Sequence, residues 1–369
     1  MNRKQFLSSI LFILLVLFLL QHLTYVIRTN GDVKDRFVGF YAEKNDTLDA
    51  VLIGSSPVPA CIATPKIYGE TGITVYPLSS NMQRPVATKY LVEEALKSQK
   101  PDLFIFEMRM WAAADEDLLG NMAHTRGVTD NMKYSINRIR TINAMVADKN
   151  ERLSYYFDIF KYHSNWKTMF LWSQLRTAFY CYPEDLKGSI VETDVGPADG
   201  PSAVSTDDKE PIPKEQEEYL LDLLDYLDDN DIEALFVITP YASKDHEQRR
   251  FNYMADIIRD RGYNFLDMNQ HIEEMDLDFS KDIRDYGTHT NVAGADKATA
   301  YLEKYLVENY RDPGKCLTAD HRGDKDYLSW DRAYEKWQSE FEKGKEIIEG
   351  NLDNGIYYEM ENEDDQDAH

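Results

Sequence analysis

Residues 50–57 read AVLIGSSP, an apolar run of β type that ends in a turn of small residues. The apolar part predicts a short buried strand over residues 50–53. Ser56 then stands at the carboxyl end of that strand. In open α/β sheets this edge binds ligands, because strand ends meet helix N-termini there. A turn serine can equally be a helix cap, so this segment alone leaves both interpretations open.

Strands and helices alternate around this turn. Further strands are predicted at residues 73–76, 103–106, 234–238 and 265–267, and helices at residues 85–96, 214–229, 246–259 and 293–310, with a last helix at 327–348. Such alternation at short spacing predicts an α/β protein with a central parallel sheet and helices on both faces.

The alternation is interrupted by a large insertion at about residues 112–213. Its first part, through Lys149, is polar and predicted to be helical, whereas residues 155–182 are crowded with aromatic side chains. Residues 195–213 are rich in Pro and Gly and predict a loop. We interpret the aromatic side chains as the insertion's own small core; stacking on sugars or packing on a membrane partner are the alternatives.

The amino-terminal segment, residues 1–30, has the pattern of a membrane anchor. Arg3 and Lys4 precede a strongly apolar run at residues 6–20, which continues more weakly to Ile27. A helix over this span is roughly 30 Å long, enough to cross a bilayer. The basic residues place the short end in the cytoplasm and the folded domain outside, and the lack of a cleavage pattern favours an uncleaved single-pass anchor. A buried helix of a soluble protein is the alternative.

Composition narrows the functional classes. Acidic residues outnumber basic ones 65 to 41, for a net charge of −24, which argues against nucleic-acid binding. The three cysteines are too few for a disulfide scaffold or a zinc site, and either one bridge or three free thiols would fit. Residues 31–350 are expected to form one domain, and the acidic residues 351–369 a disordered tail.

A strand-end serine that acts as a nucleophile needs a base, and His289 is the best candidate among the eight histidines. It follows the last predicted strand, precedes a helix and has Asp285 four residues before it. A carboxylate at that range can hold the imidazole tautomer and stabilise its charged form. A helix-capping loop without catalysis is the alternative.

These segments resemble the SGNH (GDSL-like) hydrolase family. The resemblance rests on GSS at residues 54–56, on Asp285 and His289, and on Asn291 and GADK at residues 294–297, which continue the last block. It implies a flavodoxin-like three-layer sandwich with Ser56 as nucleophile, His289 as base and Asp285 as its orienting partner, and it implies no cofactor and no metal.

Within that family the chain is most similar to the membrane-anchored extracytoplasmic branch, which includes the teichoic-acid D-alanylation D protein and alginate O-acetylation proteins. This similarity implies acyl transfer to or from a cell-surface polymer, beside a membrane-bound O-acyltransferase as partner.

The chain departs from the family pattern in three blocks. The last block is Asp-x-x-x-His, one residue longer than usual, so Asp282 is a reserve candidate for the acid. The second-block glycine is replaced within Leu78-Ser79-Ser80-Asn81, where a serine N–H could still serve an oxyanion. The Gly-x-Asn-Asp block is missing after the third strand, where Glu107-Met108-Arg109 stands, and Asn81 is a substitute for its amide.

Two further observations complete the site prediction. Arg109 and Arg126, with Asp130, are candidates for binding an anionic or sugar substrate, and structural ion pairs are the alternative. Pro57 argues against the α/β-hydrolase elbow, which takes an oxyanion N–H from the residue after the nucleophile, because proline has none.

Two hypotheses follow. The first is a membrane-anchored extracytoplasmic SGNH-like serine acyltransferase or esterase acting on a surface polysaccharide or teichoic-acid-like polymer. The second is a catalytically inactive binding or assembly subunit of a cell-envelope modification complex, which the altered second and third blocks motivate.

Overall fold

The centre of the structure is a five-stranded sheet in which all neighbouring strands are parallel. A computed structural model describes residues 2–119, 122–202, 204–311 and 315–359. The strands are β1 (Ala50–Ile53), β2 (Val75–Pro77), β3 (Leu103–Glu107), β4 (Ala234–Ile238) and β5 (Asn264–Asp267), in the order β2-β1-β3-β4-β5. The chain winds first to β2 and then back past β1 to β3. This reversal leaves a crevice outside the carboxyl ends of β1 and β3.

Helices cover both faces of the sheet, as the sequence predicted. One face packs against α2 (Asp32–Ala42), α5 (Thr88–Ala95), α12 (Lys214–Asp229) and α13 (Asp245–Asp260), and the other against α3 (Pro57–Cys61), α4 (Thr64–Thr71) and α14 (Val292–Tyr310). A long helix, α15 (Leu328–Asn354), packs on α4 and α14.

The strand sequences follow from this double covering. Val51 and Ile53 of β1 point into one hydrophobic core, and Ala50 and Leu52 into the other. Successive residues of a strand face opposite sides of the sheet, so a strand covered on both sides reads as a continuous apolar run.

The insertion is helical in its first two thirds. It contains α6 (Asp115–Leu119), α7 (Met122–Thr129), α8 (Ile136–Met145), α9 (Arg152–Tyr156), α10 (Ile159–Tyr162) and α11 (Trp172–Leu175). In the described part of residues 181–213 there is no helix or strand, in agreement with the predicted loop.

The amino-terminal helix α1 (Arg3–Ile27) is 25 residues long. Within the described chain it is the one helix long and apolar enough to cross a membrane. Its last turn, Thr24 to Ile27, is buried against the protein, whereas residues 3–19 are exposed. A buried charge pair fixes the junction with the insertion, because Arg28 Nε donates to Asp158 Oδ2 at 2.6 Å.

Some predicted boundaries were wrong. No helix or strand is predicted in the short polar stretch between Arg28 and Thr47, yet it contains α2, whose Phe37 and Phe40 are fully buried. Together with Val33, Val38 and Tyr41 they form the apolar side of a helix whose first turns are charged. The last helix continues to Asn354, so the predicted tail does not begin at residue 351. Residues 360–369 of that tail lie outside the described residues.

The three cysteines are unpaired. Cys61 is buried, Cys181 is exposed and Cys316 is half-buried. Of the two arrangements that the sequence allowed, the structure has three free thiols.

Candidate active site

Ser56 is presented by a turn that only glycine permits at its first position. A Cβ on Gly54 would lie 2.5 Å from Glu107 Cβ and 2.7 Å from Val58 Cγ2, closer than side-chain carbons approach. Ser55 is buried, and its Oγ accepts a hydrogen bond from the Gln83 N–H at 3.2 Å. The chain can therefore turn sharply from β1 into α3, which leaves Ser56 half-buried at the carboxyl edge of the sheet.

His289 comes to Ser56 from the loop between β5 and α14. Its Nε2 lies 2.8 Å from Ser56 Oγ. The neighbouring residues hold this loop in place, since Thr290 Oγ1 donates to Ala60 O of α3 at 3.0 Å and Asn291 caps the start of α14. The serine and the histidine, far apart in sequence, thus meet within hydrogen-bond reach.

Asp285 completes a three-residue chain. Its Oδ2 lies 2.6 Å from His289 Nδ1, and its Oδ1 accepts the backbone N–H groups of Thr288 at 3.1 Å and His289 at 2.7 Å. An ionised carboxylate only accepts hydrogen bonds, so Nδ1 carries the hydrogen and Nε2 is free to accept from Ser56. This is the tautomer that a general base requires.

Electrostatics favour the same protonation states. Burial lowers the pKa of His289, and the charges of Arg109 and Arg284 lower it further, whereas Asp285 opposes them. Burial opposes ionisation of Asp285, but its hydrogen bonds with His289 and the charges of His289 and Arg284 together outweigh burial and lower its pKa. At neutral pH the pair is therefore a neutral imidazole beside a carboxylate.

Asp282, the reserve acid, lies elsewhere. It is buried, and its Oδ2 accepts from Lys297 Nζ at 2.8 Å and from the Asp278 N–H at 2.7 Å. It makes no hydrogen bond to His289, so the longer spacing Asp-x-x-x-His is the one that the fold uses.

The residues predicted for an oxyanion hole follow β2 but are only partly suited to it. Ser79 and Ser80 are buried, and Asn81 is exposed and lines a separate cavity with Arg126. Among the described residues, the backbone N–H groups of Ser56, Ser79, Ser80 and Asn81 donate to no protein acceptor. These backbone N–H groups, rather than the side-chain amide of Asn81, are the candidate oxyanion donors.

The two candidate substrate-binding arginines have different surroundings. Arg109 lies beside the site: its Nη1 donates to Thr288 O at 2.7 Å, its guanidinium stacks on Tyr241 at 4.2 Å, and it lines a cleft of about 640 Å³. Arg126 is buried in an ion pair with Asp130 at 2.9 Å and packs on Tyr155, so the structural alternative holds for it.

Sequence reasoning missed the role of residues 192–198, which lie against the Asp285 loop. The Gly196 N–H donates to Ile283 O at 2.8 Å, and the Tyr286 N–H donates to Gly196 O at 2.9 Å. Glu192 pairs with Arg284 at 2.7 Å. The end of the insertion thus supports the acid, and the Gly196-Pro197 pair at the start of the stretch rich in Pro and Gly was the only local signal.

In the sequence Glu107 marks only a departure from the family pattern, whereas in the structure it is a buried carboxyl. Its Oε1 accepts from the Arg109 N–H at 3.1 Å and from Thr239 Oγ1 at 3.3 Å, and its Oε2 has no partner among the described residues. Burial raises the pKa of Glu107. Its packing against Gly54 makes it part of the support of the serine turn.

The fold and site define an α/β protein with a hydrogen-bonded Ser-His-Asp chain at the carboxyl edge of its sheet. No protein-family model matches the chain, and no curated protein matches it.

Proposed function

We propose that the protein is a serine-dependent acyltransferase or esterase of the SGNH type. The observation that carries the proposal is the chain Ser56 Oγ, His289 Nε2, His289 Nδ1 and Asp285 Oδ2, with distances of 2.8 and 2.6 Å. The doubly wound strand order and the position of Ser56 after β1 support the SGNH assignment.

In this reaction Ser56 Oγ attacks an acyl carbonyl while His289 Nε2 takes its proton. The imidazolium, stabilised by Asp285, then gives the proton to the leaving alcohol, and an acyl-serine remains. A second alcohol or water, deprotonated by His289, releases the acyl group. The Ser56 N–H can bind the oxyanion, which is compatible with Pro57 because the following residue need not donate.

The proposed site of action is the outer face of the cytoplasmic membrane. Arg3 and Lys4 are the first two residues of α1 and precede its apolar run, which favours a cytoplasmic amino terminus and an extracytoplasmic domain. Tethering gives an enzyme that receives acyl groups at the membrane a proximity advantage, whereas a free esterase gains none. We therefore favour transfer to a surface polysaccharide or teichoic-acid-like polymer, with a membrane-bound O-acyltransferase as the donor partner.

The test is the ester content of the cell-surface polymer in cells that carry wild type, Ser56→Ala or Ser55→Ala at matched membrane levels. The Ser55→Ala control removes the adjacent hydroxyl, which contacts Gln83 rather than His289. If only the Ser56→Ala cells carry fewer esters than wild type, the protein transfers acyl groups to the polymer. If only those cells carry more esters than wild type, the protein removes them. Equal ester content in all three strains overturns the enzymatic proposal in favour of a binding or assembly subunit.

A further inference from the structure

The insertion exposes a group of large aromatic side chains near the end of α1. Six of them lie between residues 157 and 179, with exposed fractions of 48% for Phe157, 68% for Phe160, 60% for Trp166, 73% for Phe170, 67% for Trp172 and 63% for Phe179. We call these six residues the aromatic collar. Other aromatics nearby, such as Tyr155, Tyr162 and Tyr180, are buried. The prediction that the aromatic cluster is the insertion's own core therefore holds only for the buried group.

The collar segment is built around α1. The Phe179 ring lies 4.6 Å from the His22 ring, and Asn165 Nδ2 donates to Ile27 O at 3.0 Å. Helices α10 and α11 and the intervening 3₁₀ turn at His163–Lys167 also pack on α1. The segment that carries the exposed aromatic side chains therefore packs around the end of α1, where the helix enters the domain.

The length of α1 brings a membrane boundary to the same level. Residues 3–19 are exposed and cover roughly 25 Å at ~1.5 Å per residue, whereas the hydrocarbon core of a bilayer is about 30 Å thick. To cross the whole hydrocarbon core, α1 therefore also needs residues 20–23, and this is the part of the helix beside which the insertion packs. Aromatic side chains of this kind are enriched at that boundary, where their rings sit at head-group level.

The charge of the segment differs from that of the rest of the protein. In a chain of net charge −24, residues 152–182 contain one acidic residue, Asp158, which is buried in ion pairs with Arg28 and Arg138. Lys161 and Lys167 are exposed and have no carboxylate partner in the described part of the chain. Such a surface suits anionic lipid head groups, which would repel the acidic remainder.

We propose that the aromatic collar is a second membrane contact, seated in the head-group region of the leaflet next to the domain. The occupant of this surface is the lipid itself and not a protein partner. The collar holds the domain against the bilayer, whereas anchoring by a single helix would leave the domain free to change its orientation relative to the membrane. The inference rests on α1 crossing the membrane and is independent of the chemistry at Ser56.

The tryptophans provide a direct probe. Trp166 and Trp172 are exposed collar residues, whereas Trp111, Trp330 and Trp337 are at most 4% exposed. The experiment reconstitutes the full chain in vesicles of phosphatidylcholine and phosphatidylglycerol that carry bromine on the acyl chains, and it measures fluorescence quenching. The Trp166→Phe/Trp172→Phe variant, which keeps aromatic side chains, assigns the signal.

Bromines near the head group should quench the collar tryptophans strongly and bromines near the chain end weakly, and the double variant should lose nearly all lipid quenching. Lipid quenching that is absent or equal in wild type and the variant overturns the proposal. Unhindered quenching of Trp166 and Trp172 by aqueous iodide in the presence of vesicles also overturns the proposal. Such quenching would show that water, and not lipid, covers this surface, which would then be open to a protein. Failure of the protein to float with the vesicles removes α1 as an anchor and overturns the collar, but leaves the Ser56 proposal intact.

Discussion

Replacing Asp285 by asparagine should abolish the base while leaving the fold in place. Asp285 Oδ1 accepts two backbone N–H groups, from Thr288 and His289. In the Asp285→Asn variant the carbonyl oxygen of the new side chain must occupy that position, so its NH₂ group faces His289 Nδ1. Nδ1 then has to accept, and the hydrogen moves to Nε2, where it blocks the proton transfer from Ser56.

A wrong tautomer of this kind costs about 10⁴-fold in kcat in serine proteases, or about 5.5 kcal/mol of barrier. We expect a loss of about 10³- to 10⁴-fold here. The assay is hydrolysis of an activated ester by the purified full-length protein, followed as kcat/KM together with Tm. The stability cost should be limited to about 1.5–3 kcal/mol, for one charged hydrogen bond.

The matched control is Asp282→Asn, the same change in the same loop. Asp282 pairs with Lys297 and makes no hydrogen bond to His289. This variant should lose stability but retain activity per folded molecule. The reasoning is refuted if Asp285→Asn remains within tenfold of wild type, or if Asp282→Asn is the variant that loses turnover.

Three further predictions concern the pH dependence of kcat/KM, the charge of Arg109 and the packing at Gly54. Because the pKa of His289 is lowered and the neutral form is the base, kcat/KM should rise with pH through an apparent pKa below 6.5 and then level off; a midpoint above 6.5 would contradict this assignment. Arg109→Gln removes a charge that lowers the pKa of His289, so that midpoint should move upward, and an unchanged or lower midpoint would argue against the effect. Gly54→Ala forces a Cβ to within 2.5 Å of Glu107 Cβ, which should cost about 1–3 kcal/mol in thermal unfolding. Gly350→Ala, with nothing within 4 Å of its added Cβ, should be neutral or stabilising, and equal losses in the two variants would refute the packing argument.

The sheet could be predicted from sequence because its strands carry their own signal. Residues 50–53 and 234–238 are continuous apolar runs, and the structure has strands with those bounds. A strand that is covered on both faces reads as a continuous apolar run, so it can be recognised without knowing which segments pack on it. Helix α2 was missed because the charged residues of its first turns obscure an apolar side that includes Val33, Phe37 and Phe40. Its buried Lys34 and Arg36 find their partners far along the chain, at Gln174 and Gly188.

The meeting of Ser56, His289 and Asp285 could be anticipated because strand ends of a parallel sheet share an edge. The surroundings of these three residues could not be anticipated. Arg126 and Asp130 have the composition of a binding site, and only the structure shows them buried together. The contact between Gly196 and the Asp285 loop joins distant segments that carry no local pattern.

The most direct measurement of the central claim is covalent labelling by a fluorophosphonate, read as intact mass and then by peptide mapping of the full-length protein. An activated serine attacks phosphorus as it would an acyl carbon, so we expect one adduct, on Ser56. The adduct should be absent from Ser56→Ala, retained in Ser55→Ala and formed far more slowly in His289→Gln. No adduct, or an adduct on another residue that persists in Ser56→Ala, would contradict the assignment of Ser56 as the nucleophile.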